Sequence, residues 1–263
     1  MFKRVKEAVK LVLSEVQWMS LPSDIWSCSG THYSFISLTV HWLDDHFERR
    51  SAALNVDVFP GSHTGNAIAD KLIDLMASWG LDKIQVHLLM RDNGGNMAKG
   101  CRVSDIGSEG CNIHTLQLVI KNTRWNSTFY LMLRFLELEI CLDLFSEAED
   151  NDSKSLTCAE WEILEELANL LQPFEEVTKS LSYNESCMSE VIPTIKTLHF
   201  CLSKQNISSP LSSFKADFES NLRKRFEDLE SNINFTMSTF LDPRFKTVFF
   251  PQTATSKLRN TWK

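Results

Sequence analysis

Two aspartates head the residues of this 263-residue chain that could do chemistry. Asp24 stands in Ser23-Asp24-Ile25-Trp26-Ser27, and Asp92 opens Asp92-Asn93-Gly94-Gly95. Were the strands that carry them neighbours, the two carboxylates could share a divalent cation with oxygen ligands, the donor type that Mg²⁺ and Mn²⁺ prefer. Phosphoryl transfer with two ions asks for more, since the ions sit about 3.5–4 Å apart and need carboxylates enough to hold both. The competing reading is that Asp24 caps a turn and Asp92 is the first residue of an Asp-Asn-Gly turn. A second constellation, Cys111-Asn112-Ile113-His114, offers two of the four ligands that zinc takes. Cys101 and His63 are candidates for the others, with no spacing rule to favour them, and a buried thiol beside a hydrogen-bonded imidazole accounts for the pair as well. Ser62-His63-Thr64 sets a hydroxyl beside a base, but no Gly-x-Ser-x-Gly elbow accompanies it, and an N-cap role for Ser62 or Thr64 is the simpler account. Trp125 and Trp161 suit either base stacking or a core.

The elements that must position these residues follow from the hydrophobic period. Val5, Val9, Val12, Leu13 and Val16 predict an amphipathic helix from Lys3 to Trp18, stopped by Leu21-Pro22. A short strand over 24–28 comes next. Ile36, Leu38, Val40 and Trp42, then Leu54, Val56 and Val58, alternate with polar residues as half-buried strands do, and the three strands read as an antiparallel meander. From Thr64 the spacing becomes three and four, through Ala67, Ile68, Leu72, Leu75, Met76 and Trp79, and Gly80 stands where a left-handed cap belongs. Ile84 to Met90 supply a further strand that ends at the Asp92 turn. The order strand, strand, strand, helix, strand implies a mixed sheet with a crossover helix. Beyond about residue 110 the chain reads as helical. Thr157 and Glu160 fit a capping box, Trp161, Leu164, Leu167, Leu171, Phe174, Val177 and Leu181 form an apolar stripe with Pro173 as a kink or break, and two more helices are expected near 190–202 and 211–229. Residues 146–153 and 203–210 read as polar loops.

Composition narrows the function classes. Twenty-seven Lys and Arg against 34 Asp and Glu leave a formal charge of −7, which argues against a broadly basic nucleic-acid-coating surface. Lys3-Arg4 with Lys6, Arg49-Arg50 and Arg223-Lys224-Arg225 are local and read as solvated faces unless they cluster in space. No apolar run approaches the roughly 18 residues of a membrane span, and the first residues lack a signal-peptide pattern, so an intracellular chain is expected. Seven scattered cysteines without a Cys-x-x-Cys pair fit free thiols in a reducing compartment.

Six segments taken together carry a resemblance. Ser23-Asp24-Ile25-Trp26-Ser27, Phe59-Pro60-Gly61-Ser62-His63-Thr64-Gly65, Asp92-Asn93-Gly94-Gly95-Asn96-Met97, Cys111-Asn112-Ile113-His114-Thr115-Leu116-Gln117-Leu118, Thr123-Arg124-Trp125-Asn126-Ser127-Thr128 and Thr239-Phe240-Leu241-Asp242-Pro243-Arg244-Phe245 resemble, in order, the hAT transposase core of the animal zinc finger BED domain-containing proteins. The resemblance implies an α/β (α+β) fold: a partial ribonuclease H-like mixed sheet over 1–110, an all-helical insertion-type region over 111–250 and a tail over 251–263. By motif, Asp24 and Asp92 match the first two catalytic, metal-binding aspartates. Cys111 and His114 match the family's Cys-x-x-His, and Trp125 its Arg-Trp motif.

Three departures accompany the likeness. The third acid, a glutamate in the helix after the insertion, has no counterpart beyond Asp242-Pro243-Arg244, and neither a BED finger nor the C-terminal dimerisation segment is matched. Leu118 to Asn122 run straight into Thr123-Arg124-Trp125, where relatives place helices and the fifth strand, so the chain looks internally shortened and short of that strand. The implied protein is a catalytically inactive transposase relic, not an enzyme. It is expected in the nucleus, in DNA-associated or transcriptional regulation through partners, with no membrane and no small-molecule substrate. No cofactor is expected, Mg²⁺ or Mn²⁺ entering only with residual activity. One alternative is a metal-dependent DNA transposase or nuclease fragment whose site is completed by Glu227 or Glu230. Another is a helical protein-interaction module that self-associates through an exposed Trp161 to Leu181 stripe.

Overall fold

The computed structural model describes residues 2–28, 33–119, 125–142, 156–182 and 186–251. They fall into two compact units, Met1–His114 and Thr115–Lys263. The first unit contains strands β1 (Met19–Pro22), β2 (Ile25–Ser27), β3 (Ser34–Leu43), β4 (Arg49–Val58), β5 (Val86–Arg91) and β6 (Ser108–Gly110), with helices α1 (Phe2–Glu15), α2 (Gly65–Trp79) and α3 (Gly95–Val103).

Alternation builds β3 as expected, whereas in β4 only Leu54 of the expected apolar face is buried, Val56 and Val58 being exposed. Ile36, Leu38 and Val40 of β3 are fully buried, while Ser37 and Thr39 between them turn to the other face. β4 pairs antiparallel along one side of β3, with a register shift between Leu38 and Thr39. Along the other side run β1 and β2 in succession, Ser20 facing His41 and Ile25 facing Ile36, so the two short strands follow one line broken at Ser23-Asp24. β1 continues the sheet into β5, and β5 into β6, both by parallel pairing.

Two expectations are corrected here. The segment expected to close the first helix is strand β1, and α1 already ends at Glu15. Four residues are too short to display a two-residue period, and Pro22 reads as a helix stop although a proline at a strand end is tolerated. The fifth strand expected to be missing is present as β6, three residues long and upstream of Cys111 rather than beyond Leu118. A run of Ser-Glu-Gly has no hydrophobic signature, so only its pairing with Leu89 to Arg91 identifies it.

One core cluster fills the unit, joining Leu13 of α1, Ile36, Leu38 and Val40, Leu89 of β5, Ile68, Leu72 and Trp79 of α2, and Met97 and Cys101 of α3. α2 is capped at both ends as its sequence predicts. Thr64 Oγ1 accepts the Ala67 N–H at 3.3 Å, and Gly80 closes it in the left-handed region at φ 71°.

The second unit is helical: α4 (Asn112–Val119), which begins in the first unit, α5 (Trp125–Glu137), α6 (Cys158–Ser182), α7 (Val191–Lys204), α8 (Ser209–Arg225) and α9 (Ile233–Leu241). The capping box forms, Thr157 N–H donating to Glu160 Oε2 at 2.8 Å while Glu160 N–H donates to Thr157 Oγ1 at 3.3 Å. Pro173 does not end α6, which runs 25 residues through it. The stripe that the interaction-module alternative takes as exposed is buried: Leu171 and Phe174 belong to the core cluster, Leu164, Leu167 and Val177 pack against it, and Trp161 and Leu181 are buried as well. The segment expected as a loop over 203–210 already belongs to α7 at its start and to α8 at its end. The motif around Asp242 is a clasp. Asp242 accepts from Ser189 Oγ at 2.7 Å and from Arg244 Nη2 at 2.8 Å, Arg244 Nη1 reaches Glu190 Oε1 at 2.7 Å, and Thr239 Oγ1 donates to Ser189 O at 2.9 Å. The loop expected at 146–153 and the tail over 252–263 lie outside the described residues.

Candidate functional site

Asp24 stands in the break between β1 and β2. Its carbonyl accepts the Ser37 N–H at 3.0 Å, which sets it opposite Ser37, and its Oδ1 accepts the Ile25 N–H at 2.9 Å. The buried Ser23 fastens the break by donating its hydroxyl to Ser37 O at 2.7 Å and its N–H to Met90 O at 2.9 Å. Asp92 follows the end of β5. Its Oδ1 accepts the Gly94 N–H at 3.0 Å, the turn that Asp-Asn-Gly favours.

The parallel pairing of β1 with β5 brings these two together. Pro22 faces Met90, and Asp24 and Asp92 each lie two residues further on, at the carboxyl ends of adjacent strands. Both line one open cleft of about 330 Å³, together with Pro22, Ser23, Ser37, Thr39, Met90, Arg91, Cys111 and His114. All of these belong to the first unit. The juxtaposition depends on β1, which is absent from the sequence expectation; β2, the strand expected to neighbour β5, pairs among the described residues only with β3.

Cys111 and His114 reach the cleft because Cys111 N–H donates to Arg91 O at 2.7 Å, extending the β5–β6 ladder by one step, after which α4 begins and carries His114 on its first turn. The other proposed zinc partners go elsewhere. Cys101 is fully buried in the core, where desolvation pushes its thiol pKa up. His63 stacks on Phe59 at 4.8 Å, with Nε2 2.9 Å from Phe59 O, and Thr64 serves as the α2 cap, so Ser62-His63-Thr64 has a structural account. Trp125 opens α5; its side chain, like Thr123 and Arg124, lies outside the described residues. Trp161 is buried.

Sequence reasoning missed Arg91, Ser37 and Thr39. Arg91 donates from Nε to Ser108 Oγ at 3.1 Å and from Nη1 to Asp92 O at 2.9 Å, tying β5, β6 and the aspartate turn together. The outward positions of β3 were the signal for the two hydroxyls, since residues opposite Asp24 on an antiparallel neighbour share its face.

The metal that the resemblance implies can be tested against this donor set. Each aspartate already gives one oxygen to a backbone N–H, and among the described residues no group of three or more His, Cys, Asp and Glu side chains comes together to hold an ion. Glu230, one proposed third acid, is paired with Lys196 at 2.8 Å within the second unit. A two-ion centre needs more carboxylate oxygens than the cleft offers, so these residues do not fit one.

A mixed sheet with helices in the first unit and a second unit whose described elements are helices define an α+β protein of ribonuclease-like class. Residues 22–103 match the family model of the ZBED1 RNase-like domain, a span that includes both aspartates. The chain is 22% identical over 321 residues to human zinc finger BED domain-containing protein 4, covering 96% of this chain and 27% of that protein. It is 30% identical over 145 residues to zinc finger BED domain-containing protein 6 of Mus musculus, covering 49% of this chain and 14% of that protein. These likenesses are to zinc finger BED domain-containing proteins, and the chain spans only a minor part of the length of these relatives. The first alignment is longer than the chain's own 263 residues, so that relative carries residues inside the matched span that this chain lacks.

Proposed function

We propose that the chain is a catalytically silent derivative of a transposase that acts in the nucleus, in DNA-associated or transcriptional regulation, through protein partners. The observation that carries this reading is the cleft itself: two carboxylates at the ancestral positions, each tied to a backbone N–H, with no third acid among the described residues beside them. Stabilising the charge that develops on a transferring phosphoryl group asks for a full cation clamp, which two partly occupied carboxylates do not supply. A net charge of −7 further favours association with DNA through partners over direct coating of phosphates by this chain. Among the described residues, no helix is long and apolar enough to cross a membrane.

Incubation of the whole chain with nicked and hairpin-forming DNA in Mg²⁺ or Mn²⁺ tests the reading. The expected result is no strand cleavage above buffer, unchanged by Asp92→Asn. Metal-dependent cleavage abolished by Asp24→Asn and by Asp92→Asn would sink it in favour of a residual nuclease, the second reading that the shared cleft keeps open.

A further inference from the structure

We propose that the outward face of α5 and its continuation is a self-association seam that takes a second copy of this chain, side by side and parallel. α5 turns Phe129 and Met132 into the core of the second unit. Its opposite face carries Leu131 and Phe135, which are 56% and 40% exposed. After a turn at Leu138 the chain is helical again over 139–142, and Leu138 N–H donating to Arg134 O at 3.2 Å and Leu142 N–H to Leu138 O at 2.9 Å keep the four-residue step across that turn. Leu138 and Leu142, both half-buried, therefore prolong the line that the exposed Leu131 and Phe135 begin. Steps of four, three and four residues place the four side chains on the two alternating core positions of a heptad. An apolar line left in water along a helix marks a docking face, because core side chains have no reason to gather there.

The charges beside the line name the occupant. Arg134 borders it on one edge and Glu139 on the other. In a parallel pair the residue just before one core position faces the residue just after the next core position of its neighbour, which sets Arg134 against Glu139 of the partner subunit. Two-fold symmetry repeats the contact in the other direction, so one surface supplies both halves of two ion pairs. An antiparallel arrangement brings like edges together and loses both. Among the described residues the Arg134 guanidinium pairs with Glu137, at 2.7 Å with both side chains 63% exposed, and Glu139 makes no ion pair. A nucleic acid would instead meet Glu137 and Glu139 beside the line and be repelled.

Sedimentation velocity of the whole chain over about 1–100 µM tests the seam. The expected result is a concentration-dependent monomer–dimer equilibrium. Leu131→Glu should leave a monomer throughout, with an unchanged helical circular dichroism spectrum, since Leu131 takes no part in the core. Arg134→Glu should raise the dissociation constant roughly tenfold, and combining it with Glu139→Arg should bring association back to within about threefold of the original. A chain that stays monomeric over the whole range overturns the proposal, as does a dimer indifferent to Leu131→Glu. A charge exchange that fails to restore association overturns it too, because the parallel pairing would then be wrong.

Discussion

Asp242 concentrates more bonds than any residue of the cleft, and its role is structural. The Arg244 guanidinium beside it, helped by the Ser189 hydroxyl and opposed by burial, holds its carboxyl well below the usual carboxylate range. Because the folded chain resists protonating Asp242 more than the unfolded chain does, this stabilisation is fully present above about pH 4 and declines as pH falls towards the depressed folded value. Asp242→Asn should cost about 1–2 kcal/mol at neutral pH, a range lowered by the half-exposed Arg244. It should also flatten the acid limb of an unfolding curve followed by circular dichroism. At Gly100, a Cβ would lie 2.6 Å from Ile68 Cγ2 and 3.2 Å from the Gly65 carbonyl, which cannot yield as a side chain end can. Gly100→Val should therefore cost about 1–3 kcal/mol in denaturant unfolding, whereas Gly95→Ala, which points into open space, should stay within about 0.5 kcal/mol.

At the scale of elements, local signals placed helices well and strand partners poorly. Thr64, Gly80, Thr157 and Glu160 announce helix ends because capping chemistry is settled within four residues, and each appears in its expected role. Gly80→Ala should lower stability by about 1–2 kcal/mol, the usual penalty for a β-carbon in the left-handed region, measurable as a lower melting temperature. β1 and β6 carried no such announcement. Four and three residues cannot show a period, and their strand character comes from pairing with strands distant in sequence, β1 with β3 and β5 and β6 with β5. The clustering of Asp24 with Asp92 was therefore expected from the wrong strand, β2, and achieved by a different one.

Over the whole molecule, each unit has its own hydrophobic cluster. Phe174 is fully buried at the centre of the helical one, with its ring 4.4 Å from that of Phe218. Phe174→Ala should remove about 3–5 kcal/mol. Hydrogen exchange should then quicken in α6, α7 and α8 while the β3 and β5 amides keep their protection, because a cavity loosens the contacts that line it. A uniform loss of protection across both units would contradict this assignment of cores. The sequence by itself determined the alternating strands β3 and β4, helix α2 with both caps, the helical second half and the two aspartate motifs, since each depends on spacing within a few residues. Only tertiary structure decided that Asp24, Asp92, Cys111 and His114 share one cleft with Arg91, and that the stripe from Trp161 to Leu181 lies inside while Leu131 and Phe135 stay outside. The physical reason is the same for both: an apolar or acidic side chain declares what it can do locally, but which surface it meets depends on contacts between segments far apart in the chain.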